Sequence, residues 1–341
     1  IDLTSGEQVQ LFSGKWPLRT AITPDGKRVV TTCNTRGDFS IRIWDLDDLR
    51  TYARSQPLAG VETMGISLNS NMLAIGKRDG TVDIQEAKTG KHLRRFQITG
   101  LPKSLTFTPD TKQLIVSANN TTVWDLIKGD RIHAFATTAE TLKVLSDGKH
   151  LLTAELAGSR AAHIWNLETG RKLRELAADS PLSVVDVTPD GRRVIAGTQA
   201  GEVVVWDVVT GLLQKIGKQR GTIGDLAVTP NGRQAISGVG GFTQYKATLE
   251  NGKLDIKQAF DLAQEKLGKS HQIDYELQAW SMLTGKSRNK LKGHNSHTTV
   301  IRVAPGGKMV ISGDMSGIVR IWNLKSGRCL RACTNHRGME I

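Results

Sequence analysis

The residues of this chain that could do chemistry are few and dispersed. Cys329, Cys333 and His336 are ligand types for a soft or borderline metal, but a tetrahedral site needs a fourth ligand and tightly spaced pairs, and neither is present nearby. Ordinary strand cysteines is the reading carried forward. Gly238-Val239-Gly240-Gly241 is glycine-rich but lacks the Gly-Lys-Ser/Thr that would cradle a phosphate, and it is read as a flexible exit from the fold. There is no His-Glu-x-x-His, no Cys-x-x-Cys and no Gly-x-Ser-x-Gly. The eight histidines share no common position. The expectation is a chain without catalytic residues, metal or cofactor.

Basic residues are the other chemistry-bearing group. The net charge is +13, and residues 208–341 carry twenty Lys and Arg against nine Asp and Glu, which concentrates +11 in that part. Lys286, Arg288, Lys290 and Lys292 alternate with Ser287, Asn289 and Leu291, so on a strand all four cations share one side. Edge lysines of this kind discourage sheet-to-sheet aggregation; a stripe for RNA, DNA or acidic partners is the alternative. Aromatic residues make up only 5% of the chain, which leaves few platforms for stacking bases.

The elements that must position these residues are repeats. Trp44-Asp45-Leu46, Gln85-Glu86-Ala87, Trp124-Asp125-Leu126, Trp165-Asn166-Leu167, Trp206-Asp207-Val208, Trp280-Ser281-Met282 and Trp322-Asn323-Leu324 follow one another at steps of 41, 39, 41, 41, 74 and 42 residues. About twenty residues before each comes a turn tetrad, as in Pro109-Asp110-Thr111-Lys112, Pro189-Asp190-Gly191-Arg192 and Pro230-Asn231-Gly232-Arg233. Proline presets φ, Asp or Asn tolerates the left-handed region, and Gly enters it without a Cβ clash, so these are tight hairpin turns. A third mark, such as Thr169-Gly170-Arg171 or Thr284-Gly285-Lys286, leads into a fourth strand. Each unit is thus four short antiparallel strands, A to D, too small to bury a core alone; units of about 40 residues must stack into one body.

On these marks the chain resembles a WD-repeat β-propeller over essentially its full length. The resemblance implies an all-β fold, a seven-bladed propeller of four-stranded antiparallel blades in a single domain, 1–341. It also implies a network of His, Ser or Thr, Trp and Asp that locks a blade. In the last unit His294, Ser312 and Trp322 match three roles, while the Asp position, six before the tryptophan, holds Ser316.

The 74-residue step carries an insertion, 240–275, in blade six. Ile256, Ala259, Phe260, Ala263 and Leu267 fall at helical spacing, which predicts an amphipathic helix near 254–267 that either caps its blade or docks a partner. In the family the B–C and D–A connections share the face most used for partners. That face is expected to draw on Trp16, Leu18, Arg78, Lys103, Gln199, His297 and Met315, with Phe260 from the insertion. Residues 1–12 are read as strand D of an earlier or closing blade, and the chain as part of a longer protein.

No segment approaches the ~18 consecutive apolar residues that cross a bilayer, so no membrane insertion is expected. Three cysteines favour a reducing compartment, taken as cytoplasmic. The functional expectation is a non-catalytic scaffold or docking module whose partner is a protein or another domain of the same polypeptide. Nucleic-acid binding through the basic half is the alternative, and a propeller hydrolase or lyase the third reading.

Overall fold

A period-2 apolar pattern bounded by turn residues folds as strand wherever the chain is described. The computed structural model describes residues 17–22, 28–35, 38–45, 51–54, 60–156, 158–240, 275–304, 306–316 and 318–333, with backbone alone before residue 60 and at 333. These residues form seven four-stranded antiparallel sheets, each made of four strands consecutive in the chain. Among the described residues there is no helix. The segments 1–12 and 254–267, with Trp16 and Phe260, lie outside the described residues.

Sheet I comprises β1 (Pro17–Ile22), β2 (Arg28–Thr35), β3 (Asp38–Asp45) and β4 (Thr51–Arg54); sheet II, β5 (Val61–Ile66), β6 (Met72–Lys77), β7 (Thr81–Glu86) and β8 (His92–Gln97). Sheet III holds β9 (Ser104–Phe107), β10 (Gln113–Ser117), β11 (Thr121–Asp125) and β12 (Arg131–Phe135); sheet IV, β13 (Thr141–Val144), β14 (His150–Ala154), β15 (Ala161–Asn166) and β16 (Lys172–Ala177). Sheet V is built from β17 (Leu182–Val187), β18 (Arg193–Thr198), β19 (Glu202–Asp207) and β20 (Leu213–Lys218). Sheet VI takes β21 (Ile223–Val228), β22 (Gln234–Val239), β23 (Leu277–Ser281) and β24 (Ser287–Leu291), and sheet VII β25 (Thr298–Val303), β26 (Met309–Asp314), β27 (Val319–Asn323) and β28 (Cys329–Cys333). The chain leaves sheet VI after its second strand and returns for its third, which is where the 74-residue step falls.

The chain divides into two compact units, Ile1–Glu155 with Ala162–Glu175, and Leu156–Ala161 with Leu176–Ile341. The first holds sheets I to III and most of IV; the second holds V to VII.

Burial explains why β22 is nearly continuous in apolar residues. Ala235 and Ile236 are fully buried, because sheet VI packs against sheet V on one face and sheet VII on the other. The fourth strand is the exposed edge; β24 buries only Leu291. Between sheets V and VI of the second unit, Ile195, Val203, Ile216, Leu226 and Trp280 form one core, and between VI and VII, Ile236, Leu277, Ile301, Val310 and Trp322 form the next. Each such side chain contributes about 1.5–3 kcal/mol on burial. Gly217 on β20 is required by this packing, since a Cβ there would stand 2.3 Å from the Trp280 ring.

The turn tetrads fold as read and add a residue that the reading missed. Thr188 Oγ1 donates to Asp190 Oδ1 at 2.6 Å and accepts from Arg193 N, while Asp190 Oδ1 accepts from Arg192 N. Thr108 with Asp110, and Thr229 with Asn231, repeat this arrangement. The residue before the proline is thus part of the turn. The third position of the tetrad adopts φ near +60 to +70°, which Gly191 and Gly232 enter freely and Thr111, at φ 59°, enters under strain.

Asp125 and Asp207, the Asp of two Trp-Asp marks, have a parallel duty. Asp207 Oδ1 accepts from Val209 N, Thr210 N and the Thr210 hydroxyl, closing the C–D turn. Asn166 and Asn323 act likewise. The antiparallel order puts the A–B and C–D turns at one end of every sheet and the D–A and B–C connections at the other.

Candidate functional site

In sheets III to VII the tryptophan of the repeat brings one indole N–H into the packing, and that donor must find an acceptor. In sheet VII, Trp322 Nε1 donates to Ser312 Oγ at 2.8 Å, and Ser312 Oγ lies 2.6 Å from His294 Nε2. His294 Nδ1 lies 2.6 Å from Asp314 Oδ2. The ionised Asp314 carboxylate only accepts, so the neutral His294 carries its proton on Nδ1, and Nε2 accepts from the Ser312 hydroxyl, which itself accepts from the indole. His294 is therefore the neutral Nδ1–H tautomer, donating to the Asp314 carboxylate. Burial holds the His294 pKa below its ordinary value, outweighing the attraction of Asp314. Asp314 is itself held low: burial pushes it up, but hydrogen bonds from Ser316, His294 and Ile318 N outweigh it.

The Asp role that Ser316 left open is thus filled from two residues earlier. Asp314 ends β26 close to His294, and Ser316 supports it, donating its hydroxyl to Oδ1 at 2.6 Å and its N–H at 3.0 Å. The position six before the tryptophan need not carry the carboxylate, because the turn can present one from its first residue.

Sheet VI contains a second lock that the spacing of Gly-His pairs did not reveal. Trp280 Nε1 donates to Ser237 Oγ at 2.8 Å, Ser237 donates to Gln219 Oε1 at 2.5 Å, and Gln219 Nε2 donates to Glu276 O at 2.9 Å. Gln219 precedes Ser237 by the same 18 residues that separate His294 from Ser312. That spacing was the available signal; glutamine supplies the same acceptor as a neutral imidazole.

Elsewhere the acceptor changes. Trp165 donates to Thr153 Oγ1 and Trp206 to Ala177 O. Trp124 turns to Thr122 Oγ1 on its own strand, because the serine position of β10, two residues beyond Leu114 that pairs with Trp124, holds Val116. A cavity of about 270 Å³ beside it is lined by Ile98, Thr122, Trp124 and Arg131, among others. In sheet II, which has Gln85 in place of the tryptophan, Asp83 is buried on β7 and paired with Lys77 Nζ at 2.5 Å and Arg95 Nε at 2.6 Å. Burial pushes the Asp83 pKa up, but these two cations hold it below the ordinary value.

The residues expected on the partner face separate into two groups. Arg78 stands in the B–C turn of sheet II, its side chain 77% exposed and bonded to Glu62 at 2.6 Å; Lys103, just before β9, reaches Glu140 at 3.1 Å. Met315 is exposed in the B–C turn of sheet VII, and Gln199 is half-buried in that of sheet V. Leu18 lies within β1, where only backbone is described.

His297 does not belong on an exposed face. It is 6% exposed, with its ring edge-on to Tyr275 at 5.2 Å, and burial lowers its pKa. Its backbone oxygen accepts from Met315 N, which draws the strand entrance inward. The glycine run is likewise not a loose exit: Gly240 N donates to Thr222 O, and a Cβ on Gly240 would stand 2.5 Å from Thr298 O.

The basic stripe is interrupted. Trp280 pairs with Ser287 and Ala279 with Asn289, so Arg288 is an extra, bulged residue and the alternation breaks between Arg288 and Lys290. Glu276 then bridges Lys290 at 3.2 Å and Lys292 at 3.3 Å. All four cations are exposed, but two of them face a carboxylate.

For chemistry, the buried ionisable groups are occupied in structural roles. Asp225, raised in pKa by burial despite Arg302 beside it, accepts from Ile301 N at 2.6 Å and Arg302 Nη1 at 3.1 Å. Among the described residues no three His, Cys, Asp or Glu side chains gather as a metal-ligand set, and no helix is long and apolar enough to cross a membrane.

Residues 285–323 match the family model "WD domain, G-beta repeat". Autophagy-related protein 16 of Arabidopsis thaliana is 23% identical over 278 residues, covering 79% of this chain and 48% of the relative. Periodic tryptophan protein 2 of Arabidopsis thaliana is 24% identical over 232 residues, 65% of this chain and 22% of the relative. Small ribosomal subunit protein RACK1y of Oryza sativa subsp. japonica is 33% identical over 57 residues, 17% of each. The matched part spans less than half the length of each of these relatives. Among solved structures, the computationally designed Ika8 protein superposes with a TM-score of 0.72 at 19% identity, covering 96% of this chain and 90% of that one. With the indole–hydroxyl–imidazole–carboxylate lock in sheet VII and an altered copy of it in sheet VI, residues 285–323 are a WD repeat, and the chain is similar to WD-repeat proteins over most of its length.

Proposed function

We propose that this chain is a non-catalytic protein-interaction scaffold, the docking module of a larger protein or complex. The observation that carries the reading is where the polar chemistry goes. His294, Asp314, Gln219, Ser237, Asp83 and Asp225 are buried or largely so, and each is consumed in holding strands and sheets together. What remains for recognition is the exposed ends of the sheets. The relatives agree in kind, since their names place such repeats in autophagy and in the small ribosomal subunit. A cytoplasmic setting suits the reading.

Recognition is assigned to the end of each sheet that carries the strand-A entrances and B–C turns, with Arg78 and Lys103 in the first unit and Gln199 and Met315 in the second. The 240–275 excursion, with Phe260, issues from that same end, because it joins the second and third strands of sheet VI. The bridging of Lys290 and Lys292 by Glu276 weighs against a phosphate-binding stripe.

The test is affinity capture from an extract of the source cells, with nuclease present and at raised salt. A stoichiometric protein partner is expected for the wild-type chain, lost with Arg78→Glu and Lys103→Glu or with Gln199→Ala and Met315→Ser. Capture of nucleic acid alone, or no protein above background, overturns the proposal.

A further inference from the structure

The most exposed large apolar side chains do not lie at the end just described. Leu68 is 59% exposed, Ile127 69%, Leu212 72%, Val209 75% and Leu283 76%, and all five stand in A–B or C–D turns. At the B–C and D–A end, among the described residues, Leu101 reaches only 44% and Met315 41%. In the second unit three of the five fall on neighbouring sheets: Val209 and Leu212 in the C–D turn of sheet V, and Leu283 in that of sheet VI.

The turns at this end form one continuous surface within the second unit. Arg193 Nη1, at the start of β18, donates to Met282 O in the C–D turn of sheet VI at 2.9 Å. A Cβ on Gly285 of that same turn would stand 3.3 Å from Ile216 Cα on β20. Asn289 Nδ2 on β24 donates to Leu324 O and Lys325 O of the C–D turn of sheet VII at 2.8 and 2.9 Å. The A–B turns meet as well, with Gly232 against Pro189 and Gly307 against Pro230.

The charge around the apolar tips is predominantly positive. Arg192, Arg233 and Lys308 are exposed in the A–B turns, and Lys286, Lys325 and Arg328 in the C–D turns. The carboxylates in these turns are Asp190 and Asp207, and both are held by the hydroxyls and N–H groups of their own turns. A protruding aliphatic pair of tips with a cationic surround, and its carboxylates spent internally, complements a surface that is acidic and apolar together.

We infer that the A–B/C–D end of sheets V to VII is a second docking surface, which takes an acidic segment carrying aliphatic side chains from a protein partner. The inference rests on the scaffold reading but uses the opposite end of the sheets, so the two fail separately. Aliphatic side chains of the partner cover Val209, Leu212 and Leu283, and its carboxylates face Arg192, Arg233, Lys286 and Lys308.

The probe is a fluorescein-labelled peptide, Asp-Glu-Glu-Leu-Asp-Glu-Leu-Leu-Glu-Asp-Leu-Glu, titrated with the full chain and followed by anisotropy. A peptide with serine for every leucine keeps the charge and removes the apolar part. The inference expects saturable binding of the leucine peptide, weakened about tenfold by serine in the peptide and about tenfold by Val209→Ser, Leu212→Ser and Leu283→Ser together in the chain. All three positions are solvent-exposed, so the variant is expected to keep the thermal midpoint of the parent. Arg78→Glu with Lys103→Glu should leave this binding unchanged. Equal affinity for the two peptides, or for the parent and the triple variant, overturns the inference. So does flotation of the chain with phosphatidylserine vesicles, abolished by the triple variant, when the leucine peptide does not bind.

Discussion

Nδ1 of His294 stands 2.6 Å from a carboxylate oxygen of Asp314, and both side chains are fully buried. The proton order that links Trp322, Ser312, His294 and Asp314 is set by the Asp314 carboxylate, which can only accept and so holds the imidazole proton on Nδ1. Protonating His294 would put a second donor against the Ser312 hydroxyl and strand its proton.

A pH dependence follows from that arrangement. His294 is held below its ordinary 6.5, so the folded chain binds the second imidazole proton less readily than the unfolded chain. The stability this supplies is present above pH 6.5 and is lost as the pH falls through the depressed folded value. Asp314, held below its ordinary 3.8, loses its contribution only at still lower pH. Thermal melts of the parent should therefore decline between pH 7 and 5. His163 and His297 are also depressed and share in that decline, so the decisive comparison is His294→Gln, which should decline less steeply. An unchanged slope would place the imidazole outside the lock.

The lock of sheet VI should be insensitive to pH but sensitive to shape. Gln219→Leu leaves the buried Ser237 hydroxyl without its acceptor and frees Glu276 O, with an expected loss of about 1–3 kcal/mol. Gln219→His restores an acceptor at the position His294 occupies one repeat later and should lose less. Denaturant unfolding of the two variants checks this order.

Asp83 should matter more as a partner than as a charge. Asp83→Ala leaves Lys77, with only 14% of its side chain exposed, facing no carboxylate, and about 3 kcal/mol should be lost. Replacing both, with Asp83→Leu and Lys77→Met, should recover most of it. Arg95 is largely exposed and contributes little. Because Asp83 is held below its ordinary 3.8, the difference between the parent and Asp83→Ala should be constant above pH 4 and shrink below it. Urea titrations at pH 3 and pH 7 measure the change.

Much of the fold was legible because the repeat writes the same physical requirements seven times. A residue that must enter the left-handed region after an Asx turn is glycine at 191 and 232, and one that must cap a C–D turn is Asp or Asn at 207, 166 and 323. The substitutions at Thr111 and Gln85 weaken single copies without hiding the period. The locks were harder to read, because they depend on which side chains meet across a seam. Ser316 sat at the expected spacing for the carboxylate, and only the turn geometry brought Asp314 to the imidazole instead. Gln219 carries no such mark in the sequence, since a Gly-His pair signals an imidazole whereas the seam requires only an acceptor for a hydroxyl.

The partner-face residues divide on the same ground. Arg78 and Met315 could be placed in exposed turns from their offset to the tetrads, but His297 has a similar offset and is buried, because Tyr275 packs against its ring. The stripe from Lys286 to Lys292 is regular in sequence and irregular in space. A bulge adds one residue to β24, and Glu276, ten residues before Lys286, reaches the last two cations.

The sequence by itself determined the four-strand unit, its turns and its likeness to WD-repeat proteins, since these follow from local backbone preferences and from a period that any single copy can lose. Only the tertiary structure decided which acceptor satisfies each indole, which cations remain clear of carboxylates, and at which end the aliphatic tips protrude. Those outcomes depend on contacts between residues that are distant in the chain, and spacing along a strand carries no information about what stands across from it.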